Sequence, residues 1–165
     1  MRVGMGYDIH RFASDRLLVL GGVEIPNDRG LLGHSDADVL VHALCDALLG
    51  AAGMGDIGLH FPDTDERYKD VSSILLLKRV GKMISESGFS VINIDATILA
   101  EAPKIAPHRS EMQLNIARTL NLPAGLVNIK ATTTEGLGSI GRGEGIGAMC
   151  IAMIGYKPSR KTIHV

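Results

Sequence analysis

The sequence predicts an α+β fold: a mixed β-sheet of about four main strands plus an N-terminal hairpin, with helices packed on one face. Three observations lead there. Strand-like alternation opens and closes the chain, three helix-period stretches lie between strand-like runs, and a Gly-Gly pair near the start is flanked by short apolar runs. A length of 165 residues suits one domain spanning the chain, with 157–165 expected as a flexible tail because its basic Lys157 to Lys161 stretch carries no pattern.

The first strand covers roughly residues 2 to 10. Val3, Met5, Tyr7 and Ile9 share one face, and Arg2, Gly4, Gly6, Asp8 and His10 share the other. Leu17 to Leu20 and Val23 to Ile25 flank Gly21-Gly22, a two-residue hairpin signal. Ser35 is placed as a helix N-cap with Asp38 in the capping-box position, and Val39, Leu40, Ala43, Leu44, Ala47 and Leu48 follow at helical spacing until Gly50 to Gly53. The loop from residue 53 to 70 carries five acidic side chains and is long enough to suggest function. A second helix follows from about Val71 to Ser87, then a strand from Phe89 to Glu101 and a third helix from Pro107 to Leu120. Two more strands, Leu126 to Thr134 and about Ile146 to Tyr156, complete the pattern.

Composition narrows the function classes. A formal net charge of −1 leaves no global field for nucleic acid or an acidic membrane surface, and no signal peptide or membrane-spanning run is apparent. Cys45 and Cys150 stand far apart in apolar runs, which reads as two buried free thiols in a reducing cytosol. The 20 glycines cluster, which suggests close backbone contact with a ligand.

The chemistry concentrates in a few places. Asp8 and His10 lie two apart in a strand, so both side chains project from one face roughly 7 Å apart at the backbone. His42 shares a helix stripe with Asp38 and Asp46, each one turn from the next. Three such ligands make an open site with one position left for substrate or water, and an Asp/His pair of types favours zinc over magnesium. A carboxylate one turn from a liganding histidine also suits the other ring nitrogen. The competing reading is that these histidines are ordinary surface or satisfied core groups. Just before the helix, His34-Ser35 either caps it with His34 in solvent or forms an anion site beside the metal; the two are compatible.

Two stretches match G-x-G-x-x-G, Gly53 to Gly58 and Gly136 to Gly141, but neither runs from a strand into a helix with a Rossmann half behind it. The second belongs to a longer stretch, Gly136 to Gly145, that reads instead as a flexible turn carrying Arg142 and Glu144. Lys130-Ala-Thr-Thr-Thr-Glu135 at a strand end is either a run of good strand formers or a hydroxyl-rich cradle for a phosphate with a divalent ion. Pro103-Lys104 is similarly ambiguous.

Taken in order, several motifs are more specific than any one. Tyr7-Asp8-Ile9-His10, Leu32-Gly-His-Ser-Asp-Ala-Asp-Val39, Gly55-Asp-Ile-Gly58, Phe61-Pro-Asp-Thr-Asp65, Ala102-Pro-Lys104, the Lys130 to Glu135 run and Gly141-Arg-Gly-Glu-Gly145 cover nearly the whole chain. In this the chain resembles the 2-C-methyl-D-erythritol 2,4-cyclodiphosphate synthases of non-mevalonate isoprenoid synthesis. The resemblance implies a phosphorus–oxygen lyase in which the 2-phosphate of a cytidine-diphosphate-linked methylerythritol attacks its own β-phosphorus and expels CMP. It assigns Asp8, His10 and His42 to one zinc ion per subunit, and Glu135 to a magnesium or manganese ion held with the substrate diphosphate.

The resemblance also implies a division of the substrate site. Asp8, Ile9, His10, His34, Ser35, Asp56, Ile57 and Gly58 surround the methylerythritol phosphate, and Phe61, Pro62, Asp63, Thr64 and Asp65 form a closing loop. Ala100, Glu101, Ala102, Pro103, Lys104, Ile105 and Ala106 face the cytidine diphosphate with Thr132, Thr133, Thr134 and Glu135. His34, Lys104 and Thr133 are the expected catalytic groups. Homotrimeric assembly would bring the two halves together from neighbouring subunits, and Ser139 and Arg142 would lie near a trimer-axis cavity for an isoprenoid diphosphate. Ser139 departs from the pattern, because some members carry an aromatic residue there. A bacterial cytoplasmic protein is expected, with a processed plastid form as the other source. Two other classes remain as alternatives: a zinc-dependent nucleotide-diphosphate hydrolase and a non-catalytic isoprenoid- or nucleotide-binding protein.

Overall fold

The glycines of the first strand explain how the layers meet. In the computed structural model, which describes residues 1–157, strand β1 (Arg2–Ala13) turns Gly4 and Gly6 toward helix α1 (Val39–Ala52). A Cβ built on Gly6 would stand 1.9 Å from the Ala43 carbonyl oxygen, and one on Gly4 2.1 Å from that of Ala47. Only a residue without a side chain lets the helix backbone come this near. The clustered glycines therefore serve helix–strand packing here.

The other elements are β2 (Leu18–Leu20), β3 (Val23–Ile25), β4 (Gly30–Leu31), α2 (Ile57–His60), α3 (Ser73–Glu86) and β5 (Phe89–Leu99). They are followed by α4 (Arg109–Leu120), β6 (Val127–Thr132), α5 (Gly138–Gly141) and β7 (Gly145–Tyr156). The main sheet has the order β4-β1-β7-β5-β6. β7 runs antiparallel to both β1 and β5, while β5 and β6 are parallel, so the sheet is mixed as the pattern predicts. The Gly21-Gly22 signal becomes the β2–β3 hairpin, with both glycines at positive φ.

α1 is apolar around most of its circumference because it is sandwiched between the sheet and α3; Leu40, Leu44 and Leu48 are fully buried. Its N-cap corrects the sequence reading. Asp38, not Ser35, caps the helix, accepting from the Val41 amide at 3.1 Å and from the Gly22 amide at 2.7 Å. The stripe of Asp38, His42 and Asp46 is accordingly no solvent face. Burial without a cation partner pushes the Asp38 carboxyl up to about 6, against the amides that favour its charge. Residues 53–70, expected as loop, contain α2 and a single 3-10 turn at Glu66–Tyr68, while the expected flexible turn before β7 holds α5.

Among the described residues, no helix covers the opposite face of the sheet. Met5 is 64% and Ile151 50% exposed, and the register places them directly opposite each other. Tyr7 sits opposite Met149 and Val3 opposite Met153, so the apolar face read in β1 continues across β7. Of the expected tail, Lys157 donates its amide to Gly88 O at 2.8 Å and its ammonium to Ser85 O at 2.9 Å. The rest of that stretch lies outside the described residues.

Candidate metal centre and active site

The C-terminal half of β1 carries Asp8 and His10 on the helix side, where the strand passes the first turn of α1 and meets His42. Three acceptor atoms converge. His10 Nε2 is 2.9 Å and His42 Nδ1 3.1 Å from Asp8 Oδ2, and the two ring nitrogens are 3.2 Å apart. Ligand atoms of a tetrahedral zinc site stand about 3.3 Å apart, so this triangle has the right scale.

The hydrogen bonds behind the rings decide what the triangle can hold. His10 Nδ1 is 2.7 Å from the Leu32 carbonyl oxygen, which only accepts, so the ring proton belongs on Nδ1 and the Nε2 lone pair faces the centre. His42 Nε2 lies 3.0 Å from both Ser35 Oγ and Ser73 Oγ, leaving Nδ1 inward. Asp8 contributes a carboxylate. Three lone-pair donors packed this closely require positive charge among them, supplied by a divalent ion or by protons. Electrostatics agrees. Burial opposes the charge on Asp8, yet hydrogen bonds from the inward nitrogens of His10 and His42, made when protons rather than a metal ion supply that charge, outweigh it and hold its carboxyl well below the usual range. Burial likewise opposes protonation of His10, but the Asp8 hydrogen bond and charge raise its pKa. Among the described residues, these three form the one cluster of metal-ligating groups in such geometry.

The triangle opens into a cleft of about 480 Å³ lined by Gly33, His34, Ser35, Asp46, Ile57, Gly58, Phe61, Pro62 and Asp63 as well as the three ligands. Asp46, one turn beyond His42, makes no hydrogen bond to that ring; it accepts from the Ile57 amide at 2.7 Å and so fixes the start of α2. Burial, with Asp56 and Asp8 nearby, raises its pKa. Asp56 caps α2 through the Leu59 amide at 2.9 Å. Neither carboxylate anticipated behind His42 is there. The serines are, and nothing in the spacing of Ser73 signals it, because it arrives from α3, 31 residues away. Tyr68 and Leu76 also line the cleft without a sequence signal.

The 61–65 loop is tied down in this conformation. His34 Nε2 donates to the Asp65 carbonyl at 3.2 Å, and Phe61 packs edge-on against Tyr68 with ring centroids 5.3 Å apart. Thr64 is exposed, and the Asp65 side chain points to Arg67, whose guanidinium holds the carboxyl down to about 2.

The second group of residues stands elsewhere. None of Ala100–Ala106 or Thr132–Glu135 lines the metal-side cleft. β1 and β6 are separated by β7 and β5, three strand spacings or about 14 Å, although both groups emerge from the same end of the sheet. There Glu101 accepts from the Thr134 amide at 2.8 Å and its hydroxyl at 3.1 Å, which lowers the Glu101 pKa and shapes the turn after β6. Thr133 Oγ1 donates to Glu135 Oε1 at 2.9 Å, and Lys104 and Glu135 are exposed. Ala100 and Ile105 are buried anchors, Ala102 and Ala106 lie at the surface with Pro103 half-buried between them, and the carbonyl of exposed Thr132 accepts from the Ala100 amide at 3.0 Å. Ser139 lies in α5, lining a recess with Ile9 and His10, and Arg142 pairs with Glu144 at 2.6 Å.

Comparison with known proteins places this geometry. The YgbB family model matches residues 1–155. The chain is 62% identical over 154 residues to the 2-C-methyl-D-erythritol 2,4-cyclodiphosphate synthase of Desulfosudis oleivorans, covering 93% of this chain and 92% of that one. Among solved structures, the bifunctional IspDF of Campylobacter jejuni superposes with a TM-score of 0.91 at 47% identity, over 94% of this chain and 42% of that longer chain. The IspF–CDP complex of Plasmodium falciparum gives 0.84 at 33% identity, over 95% of this chain and 97% of that one.

Proposed function

The chain belongs to the YgbB family, and from that premise we propose how its residues convert 4-diphosphocytidyl-2-C-methyl-D-erythritol 2-phosphate into 2-C-methyl-D-erythritol 2,4-cyclodiphosphate and CMP. In this isoprenoid-pathway cyclisation an oxygen of the 2-phosphate bonds to the β-phosphorus, and the bond from that phosphorus to the CMP oxygen breaks. The nucleophile is already ionised and the leaving group is a phosphate, so neither a strong base nor a strong acid is needed. What the site must supply is charge neutralisation and alignment of two phosphorus centres.

The observation that carries the residue assignment is the convergence of Asp8, His10 and His42 at the cleft. Their O,N,N donor set favours zinc, which when bound supplies positive charge to a substrate phosphate. His34 and Ser35 donate to the phosphate beside it. The Ile57 and Gly58 backbone, fixed by Asp46 and Asp56, orients the methylerythritol end, and the Phe61 to Asp65 loop keeps water from the β-phosphorus. The turn shaped by Glu101 presents Thr133 and Glu135, with Lys104 adjacent in function. This part receives the cytidine diphosphate and, through Glu135, the magnesium or manganese that accompanies it.

One subunit does not bring these halves together, so we assign them to neighbouring subunits of a homotrimer. The uncovered apolar face formed by Met5, Tyr7, Met149 and Ile151 supports that assembly. Ile9 joins that face beside the recess lined by Ser139 and Glu144, the partner of Arg142. A small residue at 139 leaves any isoprenoid diphosphate there with less apolar contact. Cys45 and Cys150, free and buried, support a reducing cytoplasmic setting. No helix among the described residues is long and apolar enough to cross a membrane. The test is phosphorus NMR of the product. A cyclic diphosphate formed with CMP supports the reading; linear phosphates would indicate a nucleotide-diphosphate hydrolase, and stabilisation without CMP release a binding protein.

A further inference from the structure

We propose that Asp36 and Ser73 form a positioning relay that sets the tautomer of His42 and thereby its readiness to bind a divalent metal; this rests on the metal reading of Asp8, His10 and His42. Ser73 is fully buried at the start of α3, and its hydroxyl lies between two partners. One is His42 Nε2, at 3.0 Å; the other is Asp36 Oδ1, to which the hydroxyl donates. A carboxylate has no proton to give, so the direction of the chain follows. Ser73 O–H points to Asp36, its oxygen lone pairs face the ring, and His42 must carry its proton on Nε2. Nδ1 then stands bare beside Asp8 Oδ2, 3.1 Å away.

Ser35 alone cannot enforce this. Its Oγ is also 3.0 Å from His42 Nε2, but a lone hydroxyl can donate or accept. With Ser73 Oγ 3.4 Å away to receive its proton, the Ser35 hydroxyl falls into the same order. The carboxylate at the end of the chain makes the order one-directional. Asp36 is itself held in place: its Oδ2 accepts from the Ser73 amide at 2.9 Å, its Oδ1 from the Asp38 amide at 3.3 Å, and its own amide donates to Val71 O at 3.1 Å. The relay therefore belongs to the junction of α3 with the loop that precedes α1.

Asp36→Asn tests the relay because it preserves size while replacing one acceptor oxygen with a donor. Its remaining oxygen serves the Ser73 amide, its NH2 faces Ser73 Oγ, and the serine proton is turned toward His42, which favours the blocked Nδ1–H tautomer. Zn²⁺ affinity, read by competition with a chromophoric chelator, should fall roughly 10- to 100-fold. In a Ser73→Ala background the same Asp36→Asn change should shift affinity by less than about threefold, because the connection is already cut. Wild-type affinity in Asp36→Asn, or an equal loss in both backgrounds, overturns the relay while leaving the metal site standing. Wild-type protein that takes up no Zn²⁺ removes the metal reading itself. Nitrogen-15 NMR of metal-free wild type above the imidazole titration range needs no variant: an Nε2–H tautomer at His42 supports the relay and Nδ1–H refutes it.

Discussion

Gly6→Ala couples the packing of the fold to the chemistry of the site. Gly6 lies two residues before Asp8, on the face of β1 that meets α1, and an added Cβ would stand 1.9 Å from Ala43 O. An ordinary carbon–oxygen contact needs about 3.4 Å, so strand and helix must separate by on the order of 1 Å. Ala43 directly follows His42 in α1, while Asp8 and His10 stay on the strand. The separation consequently opens a ligand triangle whose sides are 2.9, 3.1 and 3.2 Å, beyond the roughly 0.2 Å tolerance of metal–ligand distances. Overpacking of this kind costs about 1–3 kcal/mol, which for a chain of this size lowers Tm by roughly 3–10 °C. Differential scanning calorimetry and Zn²⁺ titration measure both effects. Gly50→Ala is the control: it lies in the same helix with nothing near the added Cβ, and should raise stability by about 0.5–1 kcal/mol. A Gly6→Ala protein with wild-type Tm and wild-type Zn²⁺ affinity would refute the argument.

Other consequences are as direct. His42→Ala should keep the fold by circular dichroism but lose stoichiometric zinc and at least 100-fold in turnover, on the order of 3 kcal/mol in barrier; unchanged metal content would remove His42 as a ligand. Asp38 has a carboxyl raised from 3.8 to about 6 in the fold, so its contribution to stability is complete below pH 3.8 and is lost as pH rises through about 6. That amounts to about 3 kcal/mol, and the stability difference between wild type and Asp38→Asn should narrow by about this much from pH 4 to 7 in urea titrations. Cys150, pushed by burial up to about 12, and Cys45, whose thiol burial raises well above its ordinary value, should resist an aromatic disulfide reagent at pH 8 and both react once the chain is unfolded. On the proposed trimer, Ile151→Lys places a charge in the sheet face that no helix among the described residues covers, so light scattering should read a trimer for wild type and a monomer for the variant.

The legible parts of the fold were those with a clear period. Alternation locates β1, and the 3.6-residue spacing from Val39 to Leu48 locates α1. The start of α1 is not decided by the sequence, because Ser35 and Asp38 are both residue types that cap; the Gly22 amide, which only the folded hairpin brings to Asp38, favours Asp38. The outward orientation of Val3, Met5, Tyr7 and Ile9 depends on Gly4 and Gly6 admitting a helix to the opposite face. At the site, strand spacing was enough to pair Asp8 with His10. The support behind His42 was not legible, since helical spacing pointed to Asp38 and Asp46 while the structure brings Ser73 across from α3. Contacts between distant segments leave no period in the chain.

The most direct test of the account is a single reaction of the purified protein, loaded with Zn²⁺ and supplied with Mg²⁺ and the cytidylyl substrate, followed by phosphorus NMR. The account predicts one 2,4-cyclodiphosphate for each CMP released. Linear phosphates in place of the cyclic product, or no CMP from protein with its zinc in place, would contradict it.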